Sequence, residues 1–201
     1  MSKEPAEFSV ALQPRARFDA IDVRSRILAD HGDVLAEFPR AYFASLHTTA
    51  GYLEQVRRKG AVYNGFNLIA GTTRELYYYS NRKGGVITLT PGLYGLSNRL
   101  LDTPWPKVAR GKEAFGELLS RGGDPDPEAL FDILSDRSIV EDRLLPETGI
   151  GLDWERILSA RFIVSPVYGT RSSTLLYVGR EDRVTFIERN FNSKPGPGET
   201  M

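Results

Sequence analysis

Three short runs in the middle of the chain constrain its fold more than anything else: GFNLIAG (65–71), ELYYYSN (75–81) and GVITLT (85–90). Each is rich in β-branched and aromatic residues, and only TTR and NRKGG separate them. Gaps of that kind make hairpins between antiparallel neighbours, whereas parallel strands need a long crossover. Helical patterns lie in blocks before and after the strands rather than between them. That arrangement predicts an α+β fold with a mainly antiparallel sheet.

Upstream, GDVLAEFPRAYFASL (32–46) has helical spacing interrupted at Pro39, which removes a donor and clashes with the preceding turn. TTAGYLEQVRRKG (48–60) reads as a second helix, with Thr48 or Thr49 as N-cap, basic residues in its last turn and a stop at Gly60. Residues 1–30 read as a weakly structured segment in which EFSVAL is strand-like, and 193–201 as a disordered tail.

Downstream lies LTPGLYGLSNRLLDTPWPK, Leu89 to Lys107. It begins like a strand, GLYGLSN reads as a further strand with Asn98 at its exit in the Gly-Leu-Ser-Asn turn, and a helix follows from about Pro104. Asp102 or Thr103 is placed to cap that helix, and Trp105, Val108, Ala109, Phe115, Leu118 and Leu119 fall on one face. Asp126 and Pro127 then cap and open a short helix, PEALFDILSD. The stretch from Ala160 to Phe191 reads as three strands, turning near Ser165-Pro166 and at GREDR.

The chain has 201 residues, 26 Lys+Arg and 26 Asp+Glu, so no net field draws it to nucleic acid or an anionic membrane. It contains no apolar run near the ~18 residues a membrane span needs. The first residues lack a secretory apolar core, and a cytoplasmic location is expected. With no cysteine among these residues, disulfides, thiolate catalysis and cysteine-ligated zinc are excluded for them. His31 and His47 are sixteen positions apart, which is not metal-ligand spacing, and no metal site is expected.

Several polar residues sit where structure alone does not demand them. Asn67 lies between Phe66 and Leu68 inside a strand, where a buried amide must find partners. Tyr63 and Asn64 precede it in VYNGFNL, a stretch that is also consistent with a simple turn. Asn98 at the end of GLYGLSN can offer an amide to an oxyanion, and Trp105 stands behind it. Arg171 in YGTRSST suits either a structural ion pair or an anion clamp. In YYYSNR, Tyr78 points opposite to Tyr77 and Tyr79.

YNGFNLIAG, YYYSNRKGG, LTPGLYGLSNRLLDTPWPKVARGKEAF and YGTRSSTLLYVGREDRVTFIERNF, in this order and spacing, resemble the NRDE family, which includes the transport and Golgi organisation 2 proteins. The resemblance covers roughly residues 31–192, which sets the domain at 31–192. It implies an N-terminal-nucleophile-hydrolase-like αββα sandwich of two antiparallel sheets between helices. It also implies that Asn98 stands in the place of an oxyanion-hole asparagine, and Arg171 in that of an arginine near the nucleophile.

The family opens with Met-Cys, followed by a strand carrying Asn-Arg-Asp-Glu, and this sequence has neither. Ser2 follows Met1, but SKEPAEFSV does not resemble the apolar first strand. The expectation is therefore a domain lacking the family's first strands, with no catalytic residue of its own and with sheet edges open to self-association. By resemblance it binds or traffics a small amphipathic ligand, haem or a lipid or acyl compound, in a pocket between sheets. Tyr63, Asn64, Asn67, Asn98, Trp105 and Arg171 are the candidate lining residues. An amide or acyl hydrolase is the alternative if the true N-terminus carries the nucleophile, and a fragment without function is a third reading.

Overall fold

The structure, a computed structural model, describes residues 8–12, 48–72, 74–179 and 183–191, the first of these by backbone only. It is α+β and falls into two compact units. The first comprises residues 1–92 and 96–101, and the second 93–95 and 102–201.

The first unit is built on a four-stranded sheet in sequence order: β1 (Phe8–Leu12), β2 (Asn67–Gly71), β3 (Leu76–Ser80) and β4 (Val86–Leu89). The three central runs form the antiparallel meander their short gaps predict, with Ile69 opposite Tyr78 and Tyr78 opposite Ile87. β1, from the strand-like EFSVAL, pairs parallel with β2, Phe8 against Asn67 through Leu12 against Gly71.

Helix α1 (Thr49–Lys59) covers one face of this sheet. Thr48 caps it, its hydroxyl accepting from the Gly51 N–H at 3.2 Å. The helix presents Tyr52, Leu53 and Val56 to Leu68, Ala70 and Tyr79, with Phe66, Tyr63, Tyr77 and Val86 completing the cluster. Alternation along β3 holds as read: Tyr77 and Tyr79 join this core, and Tyr78 turns to the other face. Gly60 ends the helix in an ordinary right-handed conformation, φ −57°, so its small size serves packing instead. A Cβ there would stand 2.5 Å from the Tyr79 hydroxyl.

The second unit contains α2 (Pro106–Ser120), α3 (Pro127–Leu134), α4 (Leu152–Ile157) and the hairpin of β5 (Ser172–Val178) and β6 (Val184–Asn190). Asp126 caps α3 as its sequence predicts, accepting from the Glu128 N–H at 3.2 Å. Phe131 of α3 is 1% exposed. The Arg189 guanidinium lies 3.9 Å from the centre of its ring and pairs with Glu128, so β6 is fastened to α3. Ser173 and Leu175 are buried on the same face of the hairpin. On the opposite face Leu176, Val178, Val184 and Phe186 are exposed.

Four sequence expectations fail here. GLYGLSN is not a strand, because the N–H and C=O of Gly95 are both taken by Asp102 and are unavailable to a ladder. The helix begins at Pro106, not near Pro104, and Trp105 rather than Asp102 or Thr103 occupies the cap position, without a side-chain bond. The stretch from Ala160 holds two strands, not three. Ile163 and Thr170 bond each other instead of a neighbouring strand, leaving an isolated bridge between Val164 and Gly169. Of the apolar face expected on α2, only Val108 is buried, while Ala109 and Leu119 are exposed. The helix α4, with its start at Gly151 (φ 92°), was not legible in the sequence. Among the described residues no helix is long and apolar enough to cross a membrane.

Candidate functional site

The face of the sheet away from α1 carries a buried polar group of a kind that aliphatic cores avoid. Asn67, 5% exposed, accepts from the Tyr78 hydroxyl at 2.7 Å through Oδ1 and donates through Nδ2 to the Arg99 carbonyl at 2.7 Å. Tyr78, 2% exposed, accepts in turn from the Leu101 N–H at 3.1 Å. The two side chains therefore anchor residues 99–101 against this face through main-chain groups. In this network the Asn67 Oδ1 and Nδ2 and the Tyr78 hydroxyl each have a partner, which is the condition for such a network to stabilise rather than cost.

Asn98 immediately precedes the anchored stretch. It is half-buried and makes no hydrogen bond among the described residues. An amide in that position has two donors and an acceptor available to a bound group. On the same face Ile87 is 40% exposed, so apolar surface adjoins the polar anchor.

The ends of the loop holding Asn98 are closed by Asp102. Its carboxylate accepts from the Gly95 N–H at 2.8 Å and from the Lys112 ammonium at 2.7 Å, and its own N–H donates to the Gly95 carbonyl at 2.7 Å. Asp102 has φ 56°, a left-handed backbone that a short polar side chain bonded to its surroundings tolerates. Partial burial opposes its charge, but the bonds from Lys112 and Gly95 prevail and hold the carboxyl below the usual range. The acid in this tight corner thus serves to shape the loop.

The remaining candidates separate. Tyr63 is half-buried with its ring edge-on to Phe66, and so belongs to the α1 core. Asn64 is exposed, and its carbonyl accepts from Asn81. Trp105 lies in the second unit with the Lys107 ammonium 5.8 Å from the ring centre. Arg171, also in the second unit, is exposed and forms no ion pair among the described residues, while its carbonyl accepts from the Phe191 N–H at 2.8 Å. Asn67 and Asn98 are therefore the two candidates gathered on one feature of the first unit. Ser2, His31, His47 and the helical stretch through Pro39 lie outside the described residues.

Two residues of consequence were missed. Asn81, read only as part of a turn, donates to the carbonyls of Gly60, Tyr63 and Asn64 and accepts from the Phe66 N–H. It pins the whole connection between α1 and β2. Lys107 donates to the Leu158 carbonyl at 2.7 Å, and burial lowers its amine pKa against the opposing pull of Glu155. Neither has a local signal, because each acts on chain far away in sequence.

Residues 34–193 match the family described as Transport and Golgi organisation 2. The chain belongs to that family. Its relatives include the Transport and Golgi organization protein 2 homolog of Bos taurus, 36% identical over 203 residues, covering 94% of this chain and 69% of the relative. The Homo sapiens homolog is 37% identical over 156 residues, covering 71% of this chain and 56% of the relative. The Mus musculus homolog is 35% identical over 196 residues, covering 91% and 67%. Membership of the Transport and Golgi organisation 2 family agrees with the motif order read from the sequence, and Asn67, Asn98 and Arg171 all fall within the matched residues.

Proposed function

We propose that this chain binds a small amphipathic ligand of the acyl type and does not transform it. The observation carrying this reading is Asn98: a half-buried amide without a partner among the described residues, held beside a sheet face that is polar at Asn67–Tyr78 and apolar at Ile87. The amide receives a carbonyl or anionic oxygen of the ligand, and the apolar face receives its chain. Arg171, carried over by resemblance, is a further candidate for an anionic group.

A sandwich of the N-terminal-nucleophile type is the accompanying fold proposal. It is supported by the layering within each unit, where one sheet is covered by a helix on one face and has exposed apolar residues on the other. The hydrolase alternative requires a nucleophile, and these 201 residues supply no cysteine for it. Self-association through the outer edges of β1 and β4 is a separate proposal, to be read by sedimentation velocity.

Haem fits the described residues poorly. None of them is His, Cys or Met, and among the tyrosines Tyr77 and Tyr78 already bond Glu75 and Asn67. Calorimetric titration with lauroyl-CoA below its micelle concentration, and separately with hemin, tests the reading. Saturable lauroyl-CoA binding without a hemin Soret shift is expected. Saturable hemin binding with a Soret shift, and none of lauroyl-CoA, would overturn it.

A further inference from the structure

The neutral charge of the whole chain conceals a strong local imbalance. Residues 48–101 contain seven Lys or Arg and two Asp or Glu, whereas 102–191 contain twelve and sixteen. Within the first unit the fold gathers most of these cations at one corner. Arg57, Arg58 and Lys59 fill the last turn of α1. Asn81, through its bonds to Gly60, Tyr63, Asn64 and Phe66, draws the turn carrying Arg82 and Lys83 against the same connection. Arg82 lies so close to Gly65 that a Cβ there would overlap its guanidinium.

Complementing the helix dipole explains cations in the last turn of α1 but not those of the β3–β4 turn. Arg57 is neutralised by Glu54 at 2.5 Å, and Arg58 stands 4.0 Å from that carboxylate with its side chain 75% exposed. Lys59, Arg82 and Lys83 are exposed and form no ion pair among the described residues. Between the two basic segments, in the turn Gly60–Val62, Val62 is 81% exposed. A branched aliphatic side chain so largely offered to water, beside segments in which Lys59, Arg82 and Lys83 form no ion pair among the described residues, has no role in the core beneath it.

We propose that this corner docks on an anionic phospholipid surface, with the cations at the headgroups and Val62 entering the acyl boundary. Charge complementarity selects the occupant: lysine and arginine beside a lone apolar side chain suit a surface that is anionic outside and apolar just beneath. Nucleic acid would call for exposed aromatic rings to stack on, whereas Tyr63 beside Val62 is packed on Phe66. The attachment is peripheral, and it stands independently of the ligand reading above.

Vesicle co-sedimentation of the full 201-residue chain tests it. Vesicles of phosphatidylcholine alone are compared with ones carrying about 30% phosphatidylserine, at ~0.1 M and ~0.5 M salt. Binding is expected only with phosphatidylserine and only at the lower salt. R82Q/K83Q should weaken it by about 25-fold, roughly fivefold per charge. Val62→Asp should weaken it further, and Arg121→Gln in the second unit should leave it unchanged. All four positions are exposed, and circular dichroism confirms that each variant folds. Equal binding to both vesicle types, no binding to either, or an equal loss with Arg121→Gln would overturn the proposal. So would tighter binding of a single-stranded oligonucleotide than of the anionic vesicles.

Discussion

Tyr78 donates its hydroxyl to the Asn67 amide at 2.7 Å across two adjacent strands, and both side chains are buried. Through that one contact the sheet holds residues 99–101, because Asn67 also reaches the Arg99 carbonyl and Tyr78 the Leu101 N–H. Tyr78→Phe leaves both Asn67 Oδ1 and the Leu101 N–H without this partner. A loss of about 1–3 kcal/mol is expected in urea unfolding. A loss below about 0.5 kcal/mol would show that the network contributes nothing to the fold.

Gly60→Ala should destabilise by about 1–3 kcal/mol, because its Cβ would meet the Tyr79 hydroxyl at 2.5 Å. In a Tyr79→Phe background the closest obstruction is removed, leaving the Asn81 Cβ at 3.2 Å, and the same substitution should cost clearly less. Equal costs in both backgrounds would place the difficulty in the backbone rather than in packing. The double-mutant comparison of unfolding midpoints decides it.

Asp102 gives the corner a dependence on acid. Its folded pKa is depressed, since the Lys112 and Gly95 bonds outweigh the effect of partial burial. The stability it contributes is therefore present above the unfolded carboxylate range, near 4, and is lost as pH falls through the folded value. Asp102→Asn keeps a residue suited to positive φ but removes the charge. The wild type should lose more stability than this variant between about pH 6 and pH 3. Parallel pH profiles would contradict the assignment.

Lys107 adds a dependence of the same sign in a more alkaline window. Burial lowers its amine pKa, with Glu155 opposing, so the unfolded chain holds its proton at pH values where the folded chain has released it. Stability from this group rises with pH through the window between the folded value and the unfolded one near 10.4. Lys107→Met should flatten that rise in thermal scans above neutral pH. An unchanged slope would show that the amine is solvated.

These residues also show which parts of the fold the chain reveals locally. The meander, the Thr48 and Asp126 caps and the facing of Tyr78 depend on neighbours within a few positions, and each reads correctly. Asn67 was marked as a buried amide because its flanks are apolar, yet its partners Tyr78 and Arg99 are eleven and thirty-two positions away. GLYGLSN has the composition of a strand but loses its ladder groups to Asp102, seven positions on from Gly95. Asn81 looked like a turn residue because its four contacts lie fifteen to twenty-one positions back. The basic corner was hidden for a different reason: summed over the chain, its charge cancels.

The measurement that bears most directly on the ligand reading is the affinity of Asn98→Ala for lauroyl-CoA by calorimetry, beside the wild type and Arg121→Ala. Asn98 bonds no described residue, so its removal should leave the unfolding midpoint unchanged. If its amide meets the ligand's polar group, Kd should rise about two- to tenfold, while Arg121→Ala matches the wild type. Saturable binding that is indifferent to Asn98, or no saturable binding by the wild type, would contradict the account.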